Sequence, residues 1–264
     1  MTTRDCPSKW IIPLGSRPTL FCRTALRLLA LLSLAIQPIR TQPAGRPGLY
    51  VEVLEDTSFV TCYKEPAGSR LARSDILVSP DGRFRAYAQV EAMLIKRGRT
   101  ECVNTSRLFV KSPESDTYKL VFLQEPMRWE LGNGMKVVDW SPGGRQLLVE
   151  LEWWQYGSDA GGKTVLIYNA DYGYFTQPAL GQVFSKTGKP CALRLDDVAG
   201  FSSHGKVVLK VGPWFEDEGT IDQDSCVQKE GFWLLDPARD TVEALPDDYR
   251  ARRSGKLEKH RDKK

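Results

Sequence analysis

A five-residue turn signal recurs three times at almost constant spacing: Ser79-Pro80-Asp81-Gly82-Arg83, Ser141-Pro142-Gly143-Gly144-Arg145 and Ser202-Ser203-His204-Gly205-Lys206. The leading serines are 62 and 61 residues apart. Self-similarity at a fixed period marks a repeat architecture, so this signal constrains the fold more than any other feature. Proline pre-sets φ for a turn, aspartate bonds back to its own backbone, and glycine tolerates positive φ.

The same order of elements surrounds each turn. An apolar run precedes it, at 76–78, 137–140 and 198–201. A strand-like run follows, at 84–90, 146–152 and 207–211. A third run lies at 108–110, 165–168 and 232–235, and a weaker fourth at 118–123, 173–176 and 241–245. Each is rich in β-formers or alternates apolar with polar residues. Four short antiparallel strands per unit is the composition of a propeller blade.

The Trp140-Ser141-Pro142-Gly143-Gly144-Arg145 stretch resembles the tryptophan-serine-proline-aspartate-glycine turn of TolB-type, WD40-like propeller repeats. Residues 165–171 are similar to the third strand that follows this turn in that family. The first unit keeps Ser-Pro-Asp-Gly, the second has Gly143 for aspartate, and the third retains only Ser202 and Gly205. The resemblance implies an all-β fold, a partial β-propeller of three four-stranded blades at about 66–125, 126–182 and 190–247. Before them, residues 49–54 and 58–63 read as an N-terminal β-hairpin, giving a domain over 47–247. Propellers close with about four to eight blades. Three blades therefore imply either an open arc or closure by another chain.

Arg23 and Arg27 precede the apolar run 28–36, and small and polar residues follow to Gly45. This pattern reads as a secretory signal peptide over 1–44, with an uncleaved anchor as the alternative. The run is shorter than the roughly 20 apolar residues of a spanning helix. The predicted compartment is periplasmic or secreted.

Cys62, Cys102, Cys191 and Cys226 then remain, an even number with three possible connectivities. Cys102 and Cys226 stand at equal offsets before the third strands of the first and third blades. Cys62 and Cys191 precede the first strands of those blades. A propeller brings such loops to one face, which predicts Cys62–Cys102 and Cys191–Cys226. With no Cys-x-x-Cys and only two histidines, zinc is disfavoured. Neither a metal nor any other cofactor is predicted.

Residues 248–264 are basic and lack periodic apolar residues, and read as a disordered tail. The body between signal and tail is acidic, which argues against a nucleic-acid partner; membrane contact would run only through the tail.

Gly157-Ser158-Asp159-Ala160-Gly161-Gly162-Lys163-Thr164 matches the phosphate-loop pattern, but a strand-like run follows where that mechanism needs a helix. His204 sits in a repeat turn and His260 in the tail, so no hydrolase triad is legible. Glu216, Asp217, Glu218, Asp222 and Asp224 fit no calcium-loop spacing. Asn104-Thr105-Ser106 is a glycosylation sequon.

Trp153, Trp154 and Tyr156, and Trp214 with Phe215, stand at matching offsets past Arg145 and Lys206. They are the candidate residues for ligand or partner binding, with packing between blades as the plainer reading. The sequence thus predicts an exported, non-enzymatic module for protein binding or self-association in the cell envelope. The alternatives are a carboxylate-dependent hydrolase or lyase and a glycan- or peptide-binding protein using the aromatic face.

Overall fold

The first repeat turn is closed by Gly82 N donating to Ser79 O at 2.9 Å, and the second by Gly144 N donating to Ser141 O at 2.8 Å. In the third, Gly205 N donates to Ser202 O at 3.0 Å. All three glycines have positive φ: 74°, 69° and 75°. Each serine hydroxyl also caps its turn from within, accepting from Phe84 N, Gln146 N and Lys206 N respectively. Three degenerate copies of one motif therefore build one geometry, because the two positions that carry it, serine and glycine, are the two that all three copies retain.

The computed structural model describes residues 49–54, 57–62, 69–96, 100–125, 131–155, 160–185, 187–217 and 220–259. For 49–54, 57–62, 69–70, 94–96, 100–102, 131 and 217 the description is of backbone alone. The predicted signal segment lies outside these residues.

Strands β1 (Leu49–Leu54) and β2 (Thr57–Cys62) form an antiparallel hairpin. A first meander comprises β3 (Ser69–Arg73), β4 (Ile76–Val78), β5 (Arg85–Lys96), β6 (Thr100–Lys111) and β7 (Lys119–Gln124). A second comprises β8 (Leu131–Trp140), β9 (Gln146–Gln155), β10 (Gly161–Asn169) and β11 (Tyr174–Thr176), followed by a single helical turn, α1 (Leu180–Val183). The third meander starts with β12 (Arg194–Phe201) and β13 (Val207–Gly212). A small hairpin, β14 (Phe215–Asp217) with β15 (Thr220–Ile221), interrupts it before β16 (Gly231–Asp236) and β17 (Thr241–Ala244). The last strand is β18 (Lys256–Glu258). The chain is thus all-β, with several antiparallel sheets, as expected.

The second meander is the middle layer, and the period-two alternation of its strands shows it. Val137, Trp140, Leu147, Val149, Leu151, Leu166 and Tyr168 point one way and pack with Leu77, Phe84, Ala86, Ala88, Leu108 and Val110 of the first meander. Val138, Leu148, Val165 and Ile167 point the other way and pack with Leu195, Val198, Phe201, Val207, Leu209, Val211 and Leu235 of the third. A strand buried on both faces needs a near-continuous apolar run, and Leu147-Leu148-Val149 supplies it. The outer faces of the end layers mix apolar and charged groups: on the first, Tyr87 stacks on Phe109 with ring centroids 5.0 Å apart. Arg107 pairs with Glu91 at 3.1 Å on the first, and Lys210 with Glu230 on the third.

The β1–β2 hairpin extends the second sheet, not the first: Thr57 pairs Lys136 and Ser58 pairs Met135 of β8.

The basic segment after 247 is not a disordered tail over its described length. Tyr249 N donates to Pro246 O at 3.0 Å, and Ala251 lies against Gly200 on β12. Strand β18 then pairs antiparallel with β4 through Lys256↔Val78, Leu257↔Leu77 and Glu258↔Ile76. Leu257 packs on the first core, and Arg85 Nη1 meets Glu258 Oε2 at 2.7 Å. Backbone pairing along a free strand edge needs no apolar periodicity, which is why composition reads this segment as solvated.

Candidate functional site

Cys191 and Cys226 are disulfide-bonded, with Cα atoms 5.3 Å apart, as the repeat offsets predict. The bond closes a loop of 35 residues, worth about 4 kcal/mol in the chain-entropy model. The Cys62 and Cys102 side chains lie outside the described residues, so their pairing is not addressed. A disulfide is compatible with an oxidising compartment. Among the described residues no helix is long and apolar enough to cross a membrane.

The structure does not gather the candidate aromatics onto one surface. Trp153 and Trp154 are adjacent on β9 and therefore face opposite sides of the sheet. Each lies over a cross-strand glycine. A Cβ on Gly162 would stand 2.7 Å from Trp153 Nε1, and one on Gly132 would stand 2.1 Å from Trp154 Cε2. Tyr156 lies outside the described residues. Trp214 and Phe215 belong to the β14–β15 insertion and are 43% and 38% exposed. Arg194 lies over the Phe215 ring at 5.6 Å.

Trp214 does line a cleft of about 610 Å³. The other walls are Lys163 and Thr164 of β10, residues 177–182 running into α1, and residues 190–193 with Leu195. Each wall is tied to the next. Gln177 Nε2 donates to Thr164 Oγ1 at 3.1 Å. Cys191 N donates to Gly181 O at 3.0 Å, a close approach in which a Cβ on Gly181 would meet Cys191 O at 2.6 Å. Cys226 N donates to Ala192 O at 2.7 Å beside the disulfide, and Trp214 N donates to Ser225 Oγ at 3.1 Å.

Behind the cleft, between the second and third meanders, a charge network is built around the buried Glu150. Glu150 Oε1 accepts from Lys163 Nζ at 3.0 Å and Oε2 from Val198 N at 2.9 Å. Lys136 Nζ meets Asp197 Oδ1 at 3.0 Å alongside. Burial pushes the Glu150 carboxyl above the usual glutamate range, against the opposing pull of Lys163 and Lys136. Both carboxylate oxygens are engaged, so Glu150 joins β9 to β12 and anchors Lys163. A lone glutamate within Leu147-Leu148-Val149-Glu150-Leu151 was the sequence signal for this pair, since a charge inside a buried run requires a partner.

The remaining sequence candidates fall into place locally. Lys163 and Thr164 of the phosphate-loop pattern lie in β10, paired to β9, with no helix following. His204 is exposed in the third turn. Asp222 Oδ1 accepts from Asp224 N at 2.7 Å within the acidic loop. Asn104 of the sequon is fully buried on β6. No protein-family model and no curated protein matches the chain.

Proposed function

We propose that this chain is an exported, non-enzymatic module of the TolB-like, WD40-like propeller type, working in the cell envelope through protein–protein contacts. Three successive antiparallel sheets, each with the same serine–glycine turn joining two of its paired strands, support the propeller reading. The Cys191–Cys226 bond supports an oxidising compartment. The engagement of both Glu150 oxygens supports a structural role for this buried carboxylate over a hydrolytic one.

The observation that carries the binding role is strand β7. It forms the outer edge of its sheet, and Leu120 and Leu123 on it are 49% and 43% exposed. A six-residue edge strand reading Lys-Leu-Val-Phe-Leu-Gln offers unpaired backbone and apolar side chains together. Such an edge is a ready template for strand addition by a partner or a second copy. By contrast the inner edge, β4, is already covered by the chain's own β18. Light scattering during gel filtration of the oxidised chain tests this. A dimer that becomes a monomer in Leu120→Lys/Leu123→Lys is the expected result. A monomer at every concentration overturns self-assembly through β7.

A further inference from the structure

The cleft beside the disulfide has a chemical character that selects its occupant. Its volume of about 610 Å³ falls within the roughly 300–1,000 Å³ of small-molecule sites. Among the described residues lining it, Lys163 alone carries charge, and Glu150 neutralises that charge at 3.0 Å. Among the described lining residues, an anionic ligand would have to compete with a buried carboxylate for the one cation, and a cationic ligand finds no acid. What remains is neutral and polar: the Thr164 hydroxyl, the Gln177 and Gln182 amides, backbone carbonyls and one exposed indole, Trp214.

We infer that this cleft binds a neutral saccharide. A sugar ring pairs an apolar C–H face, which an indole covers, with a rim of hydroxyls, which amides and hydroxyls satisfy at modest desolvation cost. A second groove of about 410 Å³ shares Gln177, Pro178, Ala179 and Gln182 with the first and continues to Pro237 and Asp240. The 177–182 segment is thus a ridge flanked by two grooves, which suits a short oligosaccharide over a single ring. A proline-rich peptide is the competing occupant. Its recognition relies on grooves lined by several aromatics, and Trp214 is the one aromatic among the described residues of these walls. The site is also pre-organised. Hydrogen bonds and the Cys191–Cys226 bond fix every wall before a ligand arrives, which lowers the ordering cost of binding.

Isothermal titration of the oxidised chain with chitotriose, cellotriose and a proline-rich decapeptide tests the inference. Saturable binding of at least one trisaccharide, weakened tenfold or more in Trp214→Ala and in Gln182→Ala, is the expected result. Both side chains are exposed, so both variants fold; far-UV circular dichroism verifies this. Binding of neither sugar, equal sugar binding by both variants, or binding of the peptide alone overturns it. The inference stands apart from the edge-strand reading, because Leu120→Lys/Leu123→Lys leaves the cleft intact and should bind sugar as the parent chain does.

Discussion

Asp139 Oδ1 accepts the backbone N–H of Gly255 at 2.9 Å, a contact that spans 116 residues of chain. Ser254 N donates to the same oxygen at 3.0 Å. Asp139 is buried at the inner end of β8, and burial raises its carboxyl above the usual range despite these hydrogen bonds. Its neighbour Trp140 donates Nε1–H to Leu77 O at 3.0 Å and stacks on Phe84 at 5.7 Å. Two adjacent residues of the middle layer thereby hold the first layer and the C-terminal strap together. Truncation after Arg253 leaves the Asp139 carboxylate without its Ser254 and Gly255 donors and removes β18. The expected cost is about 3–5 kcal/mol, the range for stranding one member of a buried charged contact. Asp139→Ala in the truncated chain should then cost little more, because both changes act on one contact. Urea unfolding of the two single variants and the double variant measures this coupling.

Gly255 itself passes tightly under the first two layers. A Cβ there would stand 3.0 Å from Val78 O, 3.1 Å from Leu77 Cδ1 and 3.2 Å from Trp140 Cδ1. Gly255→Val should therefore lift the strap and destabilise the fold by about 1–3 kcal/mol. Amide hydrogen exchange at Leu257 reads this locally: faster exchange is expected in Gly255→Val, and unchanged exchange would show that the strap adjusts.

Glu150 gives the fold a pH signature of unusual sign. Burial raises its carboxyl above the ordinary value of 4.5, so the folded chain holds a proton there at pH values where the unfolded chain has released it. By linkage, this group's contribution to stability falls as pH rises through the raised value and is restored as pH drops toward 4.5. Glu150→Gln removes that dependence and, at neutral pH, also the Lys163 pair. The stability difference between parent and variant should change across the window above 4.5 and flatten at higher pH. Urea midpoints taken in half-unit pH steps decide it; parallel curves would show that Glu150 keeps its ordinary affinity for protons.

The serine–glycine turns were legible because their chemistry is local. Gly82, Gly144 and Gly205 need positive φ whatever surrounds them. The Cys191–Cys226 bond followed from applying the same register to the loops. The strap was not legible, since β18 is held by backbone donors to Asp139 and by pairing to β4, neither of which leaves a side-chain pattern. The opposite facing of Trp153 and Trp154 could have been read from adjacency on a strand alone. The cleft was out of reach: Thr164, Gln177 and Trp214 lie on different elements, and the third layer's docking on the second brings them together.

The second turn departs from the first at one position, and the difference points to a stabilising change. Asp81 Oδ1 accepts from Ser79 Oγ at 2.6 Å and from Arg83 N at 3.1 Å. Burial opposes them, yet these hydrogen bonds and the Arg83 charge hold the Asp81 carboxyl below the usual aspartate range. The second turn has Gly143 at the equivalent place, with no atom within 4 Å of where its Cβ would be. Its φ is not among the positive ones, so an L side chain fits the backbone there. Gly143→Asp should recreate the bonds to Ser141 Oγ and Arg145 N and remove the conformational freedom of glycine from the unfolded chain. Against this stands Asp81, whose carboxylate lies beside Gly144 on the same exposed surface. The net gain should be about 0.5–1 kcal/mol, seen as a raised urea midpoint with unchanged slope. Gly143→Ala separates the two contributions: if it matches Gly143→Asp, the gain is in the unfolded chain and the carboxylate adds nothing.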